Sequence, residues 1–483
     1  MNRFLINTRF LRNTKITRLL LVAVAAVCVQ TQTGTAQQNT LTPNQQMARD
    51  IFKELIEINT TDSPAGNVTT AAEAVAARFR AAGFAEDDIH VAGPLPNKHN
   101  IVVRYRGRGA GKPILLLAHL DVVQALKQDW SNNLDPFKFN EIDGFFYGRG
   151  TSDIKQGDTE LIANLIRLKK EGWTPSRDFI VALTADEESG ESNGVQWLLK
   201  QHRDWIDAEF CINTDAGDFE LQKGKKLLIG VETSEKNYVD FTLEVKSAGG
   251  HSSRPVKDNA IYRLAAALER LSQFDFPVQL NETTRSFFAQ TAKLQDAKVV
   301  ADFTVVAQTP PDAAAVSRLS ESPYYNALLR TTCVATLLQG GHAPNALPQT
   351  ARANVNCRML PTDSLANVQA TLKKVMADDR ISVTVANESG AAPPSPINPA
   401  IMRRLESLSS KLYGGIPVVP IMDTGASDGK ALRLAGIPTY GVPGVFADID
   451  DVRAHGRDER IGVKEFYGGV DFYYLFIKSL DGE

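Results

Sequence analysis

The sequence predicts an α/β protein in which helices cover a mostly parallel sheet and a smaller α+β domain, an antiparallel sheet with two helices, is inserted. Two observations carry this prediction. In the first half, apolar runs typical of buried strands alternate with stretches of helical periodicity, which indicates a parallel sheet with helices on both faces. The strand predicted at 239–249 instead alternates apolar and polar residues, as a strand with one solvated face does.

The first part of the predicted catalytic domain covers residues 45–234. It begins with a helix, because Met47, Ile51, Leu55 and Ile58 recur at helical spacing. The other predicted helices of this part are a segment after residue 154 with an apolar face and a segment near 193–203, and the predicted strands are 101–105, 113–123, 179–186 and 209–215.

The inserted domain is predicted over 235–390 and the rest of the catalytic domain over 391–483. The Pro-rich segment at 391–397 indicates the return of the chain to the first domain. No conformation is predicted for 281–330. The remaining predicted elements are strands at 331–340, 351–360 and 381–387 and helices at 258–273, 364–376, 400–413 and 463–479.

The first 37 residues predict a secretory signal peptide. Basic residues precede the apolar run at 19–29, and small residues follow at Gly34 and Ala36. The run is shorter than the roughly 20 residues that span a bilayer, so we expect an exported protein, periplasmic or secreted, without a membrane anchor. An acylated Cys28 is the alternative, but Val27 stands where a small residue would be expected.

Composition and cysteine content argue against two classes of protein, nucleic-acid-binding proteins and disulfide scaffolds. The formal net charge of -3 over 483 residues, with no long basic run, argues against a nucleic-acid partner. Without Cys28, three cysteines remain, which excludes a disulfide scaffold. Buried free thiols are expected for Cys211, Cys333 and Cys357, and a bridge between the last two stays open.

Acidic residues stand at the ends of three of the predicted strands. Asp121, Glu187, Glu188 and Asp215 stand at these ends, and Asp153 lies in a Gly-rich turn before a helix. The carboxyl ends of parallel strands meet at one edge of a sheet, so five carboxylates would share a crevice and repel one another. Two divalent cations would remove that repulsion and activate a water molecule. The alternative is that these acids are solvated loop residues.

His119 is the candidate histidine ligand in this region. Strand alternation would place His119 and Asp121 on one face, and a carboxylate beside a metal-binding imidazole can orient it. A histidine in an apolar strand can equally be a core residue.

A set of seven motifs carries a resemblance to a known family. The set resembles the zinc-peptidase family that includes aminoacylase-1, carboxypeptidase S, carboxypeptidase G, carnosinase-type dipeptidases and succinyl-diaminopimelate desuccinylase. The likeness covers nearly all of residues 45–480. The motifs, in order, are LLLAHLDVV (115–123), YGRGTSDIK (147–155), LTADEESG (183–190), INTD (212–215), SAGGHSSRP (247–255), NALPQTARANVNCRMLP (345–361) and AHGRDERI (454–461).

The resemblance implies two Zn²⁺ ions per subunit, for which Co²⁺ or Mn²⁺ could substitute. One ion would bind His119, Asp153 and Asp215. The other would bind Asp153, Glu188 and His455, so that Asp153 bridges the pair.

The resemblance also implies catalytic roles. Asp121 would orient His119, and Glu187 would be the general base that takes a proton from a hydroxide or water bridging the ions and returns it to the leaving amine. His251 resembles the histidine that a partner subunit contributes to the oxyanion site, which implies a homodimer through the inserted domain. Otherwise His251 is an ordinary loop histidine.

Substrate binding is implied for a further set of residues. Asn345 and Arg358 match positions that bind substrate in relatives, and an arginine there could hold a carboxylate with two hydrogen bonds. The alternative is a solvent-facing strand arginine. Gly425, Ser427 and Asp428 resemble the family's Gly-Thr-Asp loop, with serine in place of threonine.

The predicted function is hydrolysis of the amide bond of a small peptide or N-acyl amino acid by an exported dinuclear zinc enzyme. Asp215, where other branches carry glutamate, favours a carboxypeptidase S-like enzyme or a dipeptidase. An Xaa-Xaa dipeptidase or aminopeptidase is the alternative. The remote alternative is a binding protein that has the same fold but no catalytic activity.

Overall fold

A ten-stranded sheet forms the centre of the computed structural model, which describes residues 41–109, 111–294, 297–386 and 391–482. Its four central strands run parallel, and antiparallel pairs lie toward both edges. In order across the sheet the strands are Ile89–Ala92, Asn100–Tyr105, Phe179–Thr184, Ile114–His119, Phe210–Asn213, Thr439–Gly441, Lys225–Glu235, Asp218–Gln222 and Ala447–Asp448, with Val418–Asp423 paired to Lys225–Glu235.

Helices cover both faces of this sheet because the central strands are apolar on both sides. Leu116 and Val181 belong to one buried cluster, whereas their neighbours Leu115 and Ile180 belong to the cluster on the other face. The helices of the first cluster are Pro43–Glu57, Val68–Ala81, Lys155–Lys170, Pro399–Tyr413 and Val463–Leu480, and those of the second are Gly194–Gln201, Arg203–Ile206 and Gly429–Leu434. The predicted fold class is confirmed.

Two central strands end earlier than predicted, and this shapes the site. The predicted strand at 113–123 ends at His119, so strand alternation does not place Asp121 beside His119. The predicted strand at 179–186 ends at Thr184, and Asp186 adopts a left-handed backbone conformation with φ of 57°.

A four-stranded antiparallel sheet packs against two helices, as predicted for the inserted segment. The helices Ala260–Ser272 and Leu365–Met376 enclose a separate apolar cluster against it. Its strand order is Thr332–Gly340, Thr350–Met359, Asn237–Lys246 and Ile381–Val385.

The described part of 281–330, a stretch for which the sequence predicts no conformation, contains four α-helices. Phe288 and Phe303 pack with Val419 and Ile421, so this stretch lies against the ten-stranded sheet and not against the four-stranded one. Its helices are Glu282–Thr291, Ala297–Val306, Ala313–Leu319 and Pro323–Leu329.

Lys236 stands where the chain passes from the ten-stranded to the four-stranded sheet. Its buried Nζ donates to the carbonyl oxygens of Ala327 at 3.0 Å and Arg330 at 2.9 Å and to Thr332 Oγ1 at 3.1 Å. Burial, with the nearby charge of Arg358, lowers the pKa of Lys236 to about 7. The predicted boundaries at 234 and 390 bracket the strands of the four-stranded sheet, and they stay a prediction.

The remaining strands form two short sheets. Gly250–His251 pairs with Ala346–Leu347. The other contains Asn140–Ile142, Phe145–Tyr147 and Arg460–Gly462.

The expectation of free thiols is wrong for two cysteines. Cys333 and Cys357 form a disulfide, because they are direct partners on adjacent antiparallel strands with their Cα atoms 4.1 Å apart. Cys211 is a buried free thiol, as expected.

The predicted signal peptide at 1–37 lies outside the described residues. Within the described ranges, no helix is both long and apolar enough to cross a lipid bilayer.

Candidate metal centre

Four of the predicted ligands converge because they lie at the ends of neighbouring elements. His119 is the last residue of its strand, Asp215 and Glu188 follow the two adjacent parallel strands, and Asp153 precedes the helix Lys155–Lys170. The fifth, His455, comes from a loop near the C-terminal helix and has a left-handed backbone conformation with φ of 63°. Such a conformation costs free energy for a residue with a side chain and is held by its surroundings.

Asp153 lies between the two histidines and directs one carboxylate oxygen to each. His119 Nε2 is 3.3 Å from Asp153 Oδ1, and His455 Nε2 is 3.0 Å from Asp153 Oδ2. Asp215 Oδ1 lies 3.5 Å from His119 Nε2, and Glu188 Oε2 lies 2.9 Å from His455 Nε2. The five residues therefore form two adjoining donor sets that share Asp153.

The donor set suits divalent cations. His119 Nε2 is buried and has no hydrogen-bond partner among the residues that the structure describes, although it faces two carboxylates. Two trios of ligand atoms lie within 4.8 Å of one another, His119 with Asp153 and Glu188, and His119 with Glu187 and Asp215. Imidazole and carboxylate donors of this kind are those of Zn²⁺ sites.

The carboxylates create a negative potential that favours positive charge. Hydrogen bonds to Asp153 and Glu188 raise the pKa of His455 to about 10. Burial opposes protonation of His119, yet the charge of Asp215 raises its pKa above the ordinary value. Burial raises the pKa of Asp215 to about 7. A cation would be stabilised here for the same reason that the imidazolium forms are.

Asp121 holds the chain that carries both glutamates. Its carboxylate accepts hydrogen bonds from the backbone N–H groups of Glu187 at 3.1 Å and Glu188 at 3.0 Å. His119 Nδ1 lies 3.0 Å from the carbonyl oxygen of Asp121 and 3.7 Å from its carboxylate. Asp121 thus contacts the imidazole mainly through its main chain.

Glu459 fixes the position of the loop that contains Asp153. The sequence did not predict a role for this residue. Its buried carboxylate accepts from the backbone N–H groups of Ser152 at 2.8 Å and Asp153 at 3.1 Å, and Arg149 Nη1 donates to it at 2.5 Å. Its presence in AHGRDERI, beside the ligand His455, is the only signal that the sequence offers.

Asp186, the first of the three acids in LTADEESG (183–190), turns away from the cluster. Its buried carboxylate forms an ion pair with the buried Lys98, which also donates to Asp62 at 2.9 Å. Its neighbours Glu187 and Glu188 belong to the groups of candidate ligand atoms, and Asp186 itself has a left-handed backbone conformation.

His251 and Asn345 lie together but are not joined to the cluster by any hydrogen bond or ion pair within the described ranges. The pairing of Gly250–His251 with Ala346–Leu347 brings them side by side, and both are exposed. His251 Nδ1 accepts from the backbone N–H of Ser253 at 3.1 Å.

Arg358 lies near Lys430, at the end of the loop at 424–430. Arg358 Nη1 is buried, finds no hydrogen-bond partner in the described part of the chain, and belongs to a guanidinium 4.8 Å from the ring centre of Tyr238. Burial lowers the pKa of Lys430, and the charge of Arg358 lowers it further. Two cationic side chains thus share one region that could receive a carboxylate.

The loop itself is fixed by residues that the sequence did not single out. Ser427 donates from its N–H and its Oγ to Glu235 Oε2, both at 3.0 Å. Asp428 accepts from Thr184 Oγ1 at 2.8 Å and from Asn193 Nδ2 at 2.6 Å. The N–H of Gly425 donates to Asp423 at 2.8 Å.

Comparisons with known proteins place the chain in a family. The model of peptidase family M20/M25/M40 matches residues 115–479. The chain is 33% identical over 389 residues to the N-fatty-acyl-amino acid synthase/hydrolase PM20D1 of Bos taurus, covering 77% of this chain and 74% of that protein. It is 29% identical over 403 residues to the probable carboxypeptidase S-like 2 of Dictyostelium discoideum, covering 79% and 75%.

A solved structure shows the same fold. The M20 family metallo-carboxypeptidase Sso-CP2 of Sulfolobus solfataricus superposes with a TM-score of 0.67 at 16% identity, over 90% of this chain and 99% of that one. The chain belongs to peptidase family M20/M25/M40. It is a metal-dependent peptidase or amidohydrolase, and the predicted family is confirmed.

We expect Asp186 to support the fold and to contribute less to catalysis than its two neighbours. Asp186→Asn keeps a residue that tolerates the left-handed conformation but removes the charge that pairs with buried Lys98. Breaking such a pair costs about 3–5 kcal/mol of the free energy of unfolding, measured by denaturant titration. Per folded molecule, activity should fall much less than in Glu187→Gln or Glu188→Gln.

The matched control is Asp62→Asn. Asp62 is the other partner of Lys98, but its side chain is 47% exposed, so its loss should cost at most about 1 kcal/mol. Equal losses of activity in the variants of Asp186 and Glu187 at a temperature where both are folded would contradict the assignment.

Proposed function

We propose that the protein is a dinuclear zinc hydrolase that cleaves the amide bond of an N-acyl amino acid or an N-blocked peptide with a free carboxylate. The single observation that carries this proposal is Asp153, which directs one oxygen toward His119 and the other toward His455. A carboxylate in that position can bridge two cations, one bound with Asp215 and the other with Glu188.

The relatives support the substrate class. PM20D1 is named for N-fatty-acyl-amino acids, and the second relative for its likeness to carboxypeptidase S; a blocked amino end and a free carboxylate fit both names. The chain covers about three quarters of each relative's length. Carboxypeptidase S-like activity is accordingly favoured over a free-amine dipeptidase or aminopeptidase.

The bound cations would lower the pKa of a water molecule and polarise the amide carbonyl. Glu187 would accept the water proton and deliver it to the amine nitrogen as the C–N bond breaks. Its carboxylate reaches within 4.8 Å of the nearest atoms of His119 and Asp215, and Asp121 fixes its main chain. His119 and His455 would stay neutral as ligands.

We expect Glu187→Gln to lose about 10²–10⁴ in kcat while it still binds metal, because general acid–base catalysis contributes that much. Hydrolysis of N-acyl amino acids, N-blocked dipeptides and free dipeptides would be measured beside the metal content of the purified protein, for which two equivalents are expected. Glu191→Gln is the control, since Glu191 is exposed in the same loop.

Activity within a few-fold of the wild type would contradict the role of Glu187. Fewer than two equivalents of tightly bound metal would contradict the dinuclear site. Cleavage of free dipeptides alone would favour the dipeptidase or aminopeptidase instead.

Arg358 would hold the substrate carboxylate. Its unpartnered Nη1, beside Lys430 and the loop of Gly425 and Ser427, supports this role. Asn345 would contribute an amide from its exposed position beside the strand Ala346–Leu347 when substrate is bound.

Arg358→Met should raise KM for substrates with a free carboxylate about ten- to a hundredfold, because a hydrogen bond between charged groups contributes about 1.5–3 kcal/mol. Substrates amidated at the same end should be unaffected. Arg352→Met is the control, since Arg352 lies on the same strand but is exposed and pairs with Glu244. An equal rise of KM for both substrates would contradict carboxylate binding.

A homodimer would bring His251 of one subunit to the metal centre of the other. Two features support it: His251 is exposed, and the edge strand Thr332–Gly340 exposes Val334, Leu337 and Leu338 to 59%, 65% and 68%. An exposed apolar edge strand is suited to pairing with another copy.

Mixing two inactive variants would test this arrangement. If His251 acts across the interface, His251→Ala mixed with Glu187→Gln should recover about a quarter of wild-type activity, because half of the dimers then contain one intact site of two. A mixture that exchanges subunits, as followed by mass spectrometry, but stays inactive would show that His251 acts within its own subunit.

A further inference from the structure

A cavity of about 770 Å³ adjoins the metal centre on the side of the strands Asp218–Gln222 and Ala447–Asp448. Asp153 and Asp215, two of the candidate ligands, form part of its wall. A ligand that enters the cavity can therefore reach the reacting atoms. Its volume lies within the range of small-molecule sites.

The rest of this wall is rich in apolar side chains, and we call the cavity the apolar chamber. Its buried apolar lining consists of Ile154, Phe219, Leu221, Val445, Phe446 and Ile461. Two further apolar residues of the wall face solvent, Ile449 at 43% and Val452 at 77% exposure. An apolar cavity with an exposed apolar rim beside a catalytic centre is suited to a hydrocarbon group.

The charged residues of the chamber wall indicate which end of a substrate the chamber would bind. Both arginines of the wall are already paired, because Asp451 accepts from Arg453 at 2.6 Å and from Arg460 at 2.7 Å. The other charged residues of the wall besides the ligands are acidic: Asp218, Glu220, Asp448 and Glu465. A substrate carboxylate would be repelled here, whereas Arg358, which would attract it, does not line the chamber.

We propose that the apolar chamber binds the hydrocarbon chain of a long-chain acyl group while the amino-acid carboxylate lies toward Arg358. This inference rests on the proposed function and locates the acyl side of its substrate. In the reaction, water supplies oxygen to the acyl carbon and a proton to the amine nitrogen as the C–N bond breaks. The products are a fatty acid, whose chain lies in the chamber, and a free amino acid.

A series of N-acetyl-, N-hexanoyl- and N-dodecanoyl-leucine tests the chamber in the metal-loaded protein. Burial of each methylene should raise kcat/KM about fourfold until the chamber is filled. Val452→Asp and Ile449→Asp place a charge in the wall at exposed positions that the fold tolerates. Each should lower the ratio of kcat/KM for dodecanoyl- over acetyl-leucine about tenfold or more.

Leu434→Asp is the matched control. Leu434 is 50% exposed at the end of the helix Gly429–Leu434 and does not line the chamber, so the ratio should stay at the wild-type value. Calorimetry of N-dodecanoyl-leucine with Glu187→Gln gives a second readout without turnover. Binding should show a negative heat-capacity change that Val452→Asp reduces.

The outcomes separate the two proposals. If no member of the series is hydrolysed, the proposed function is wrong and the chamber proposal falls with it. If the series is hydrolysed without dependence on chain length, or if the variants of Val452 and Ile449 keep the wild-type ratio, the proposed function stands and the chamber proposal is overturned.

Discussion

The electrostatic repulsion among buried carboxylates is the constraint on which the rest of the site depends. Two of the buried acids around the cluster have a permanent cation of their own, Glu459 with Arg149 and Asp186 with Lys98. The cation in each pair offsets the cost of burying the charge. Asp153, Glu188 and Asp215 instead lie within ion-pair distance of imidazoles, and the ion pairs of the described residues give them no lysine or arginine partner. The family resemblance assigns these three acids to metal.

Much of the fold follows from the sequence because its central strands are apolar on both faces. Periodicity locates the strand Phe179–Thr184 and the helix Lys155–Lys170 to within a few residues. Periodicity does not predict the residue at which a strand ends and the chain leaves the sheet. The strand that carries His119 ends at that residue, since Asp121 turns to accept the N–H groups of Glu187 and Glu188, and no local pattern encodes that long-range contact.

The metal centre was more predictable from the sequence than the residues that support it. Few residue types can serve as metal ligands, so a motif set points to candidate ligands. Glu459 and Glu235 act through hydrogen bonds to the backbone of distant loops, and any acid in the sequence could do so. The helices of 281–330 were missed for a related reason, because their apolar faces pack on a sheet that is remote in sequence.

In the proposed substrate complex, three environments would surround the reacting bond, and they differ in their chemistry. The acidic cluster favours cations, the region of Arg358 and Lys430 favours an anion, and the apolar chamber favours hydrocarbon. An N-acyl amino acid carries the complementary groups in the same chain, an amide between a hydrocarbon and a carboxylate. Selectivity would thus arise from the sum of three unlike contacts and not from one tight pocket.

The disulfide between Cys333 and Cys357 has a consequence for how the protein must be produced. Cys357 and Arg358 are consecutive residues of the strand Thr350–Met359. Because successive side chains of a strand point to opposite faces, the disulfide lies on one face of the sheet and the guanidinium on the other. A chain made in a reducing cytosol would lack this covalent link. Recombinant material would therefore need an oxidising host compartment or oxidative refolding before the proposed role of Arg358 could be tested in the native protein.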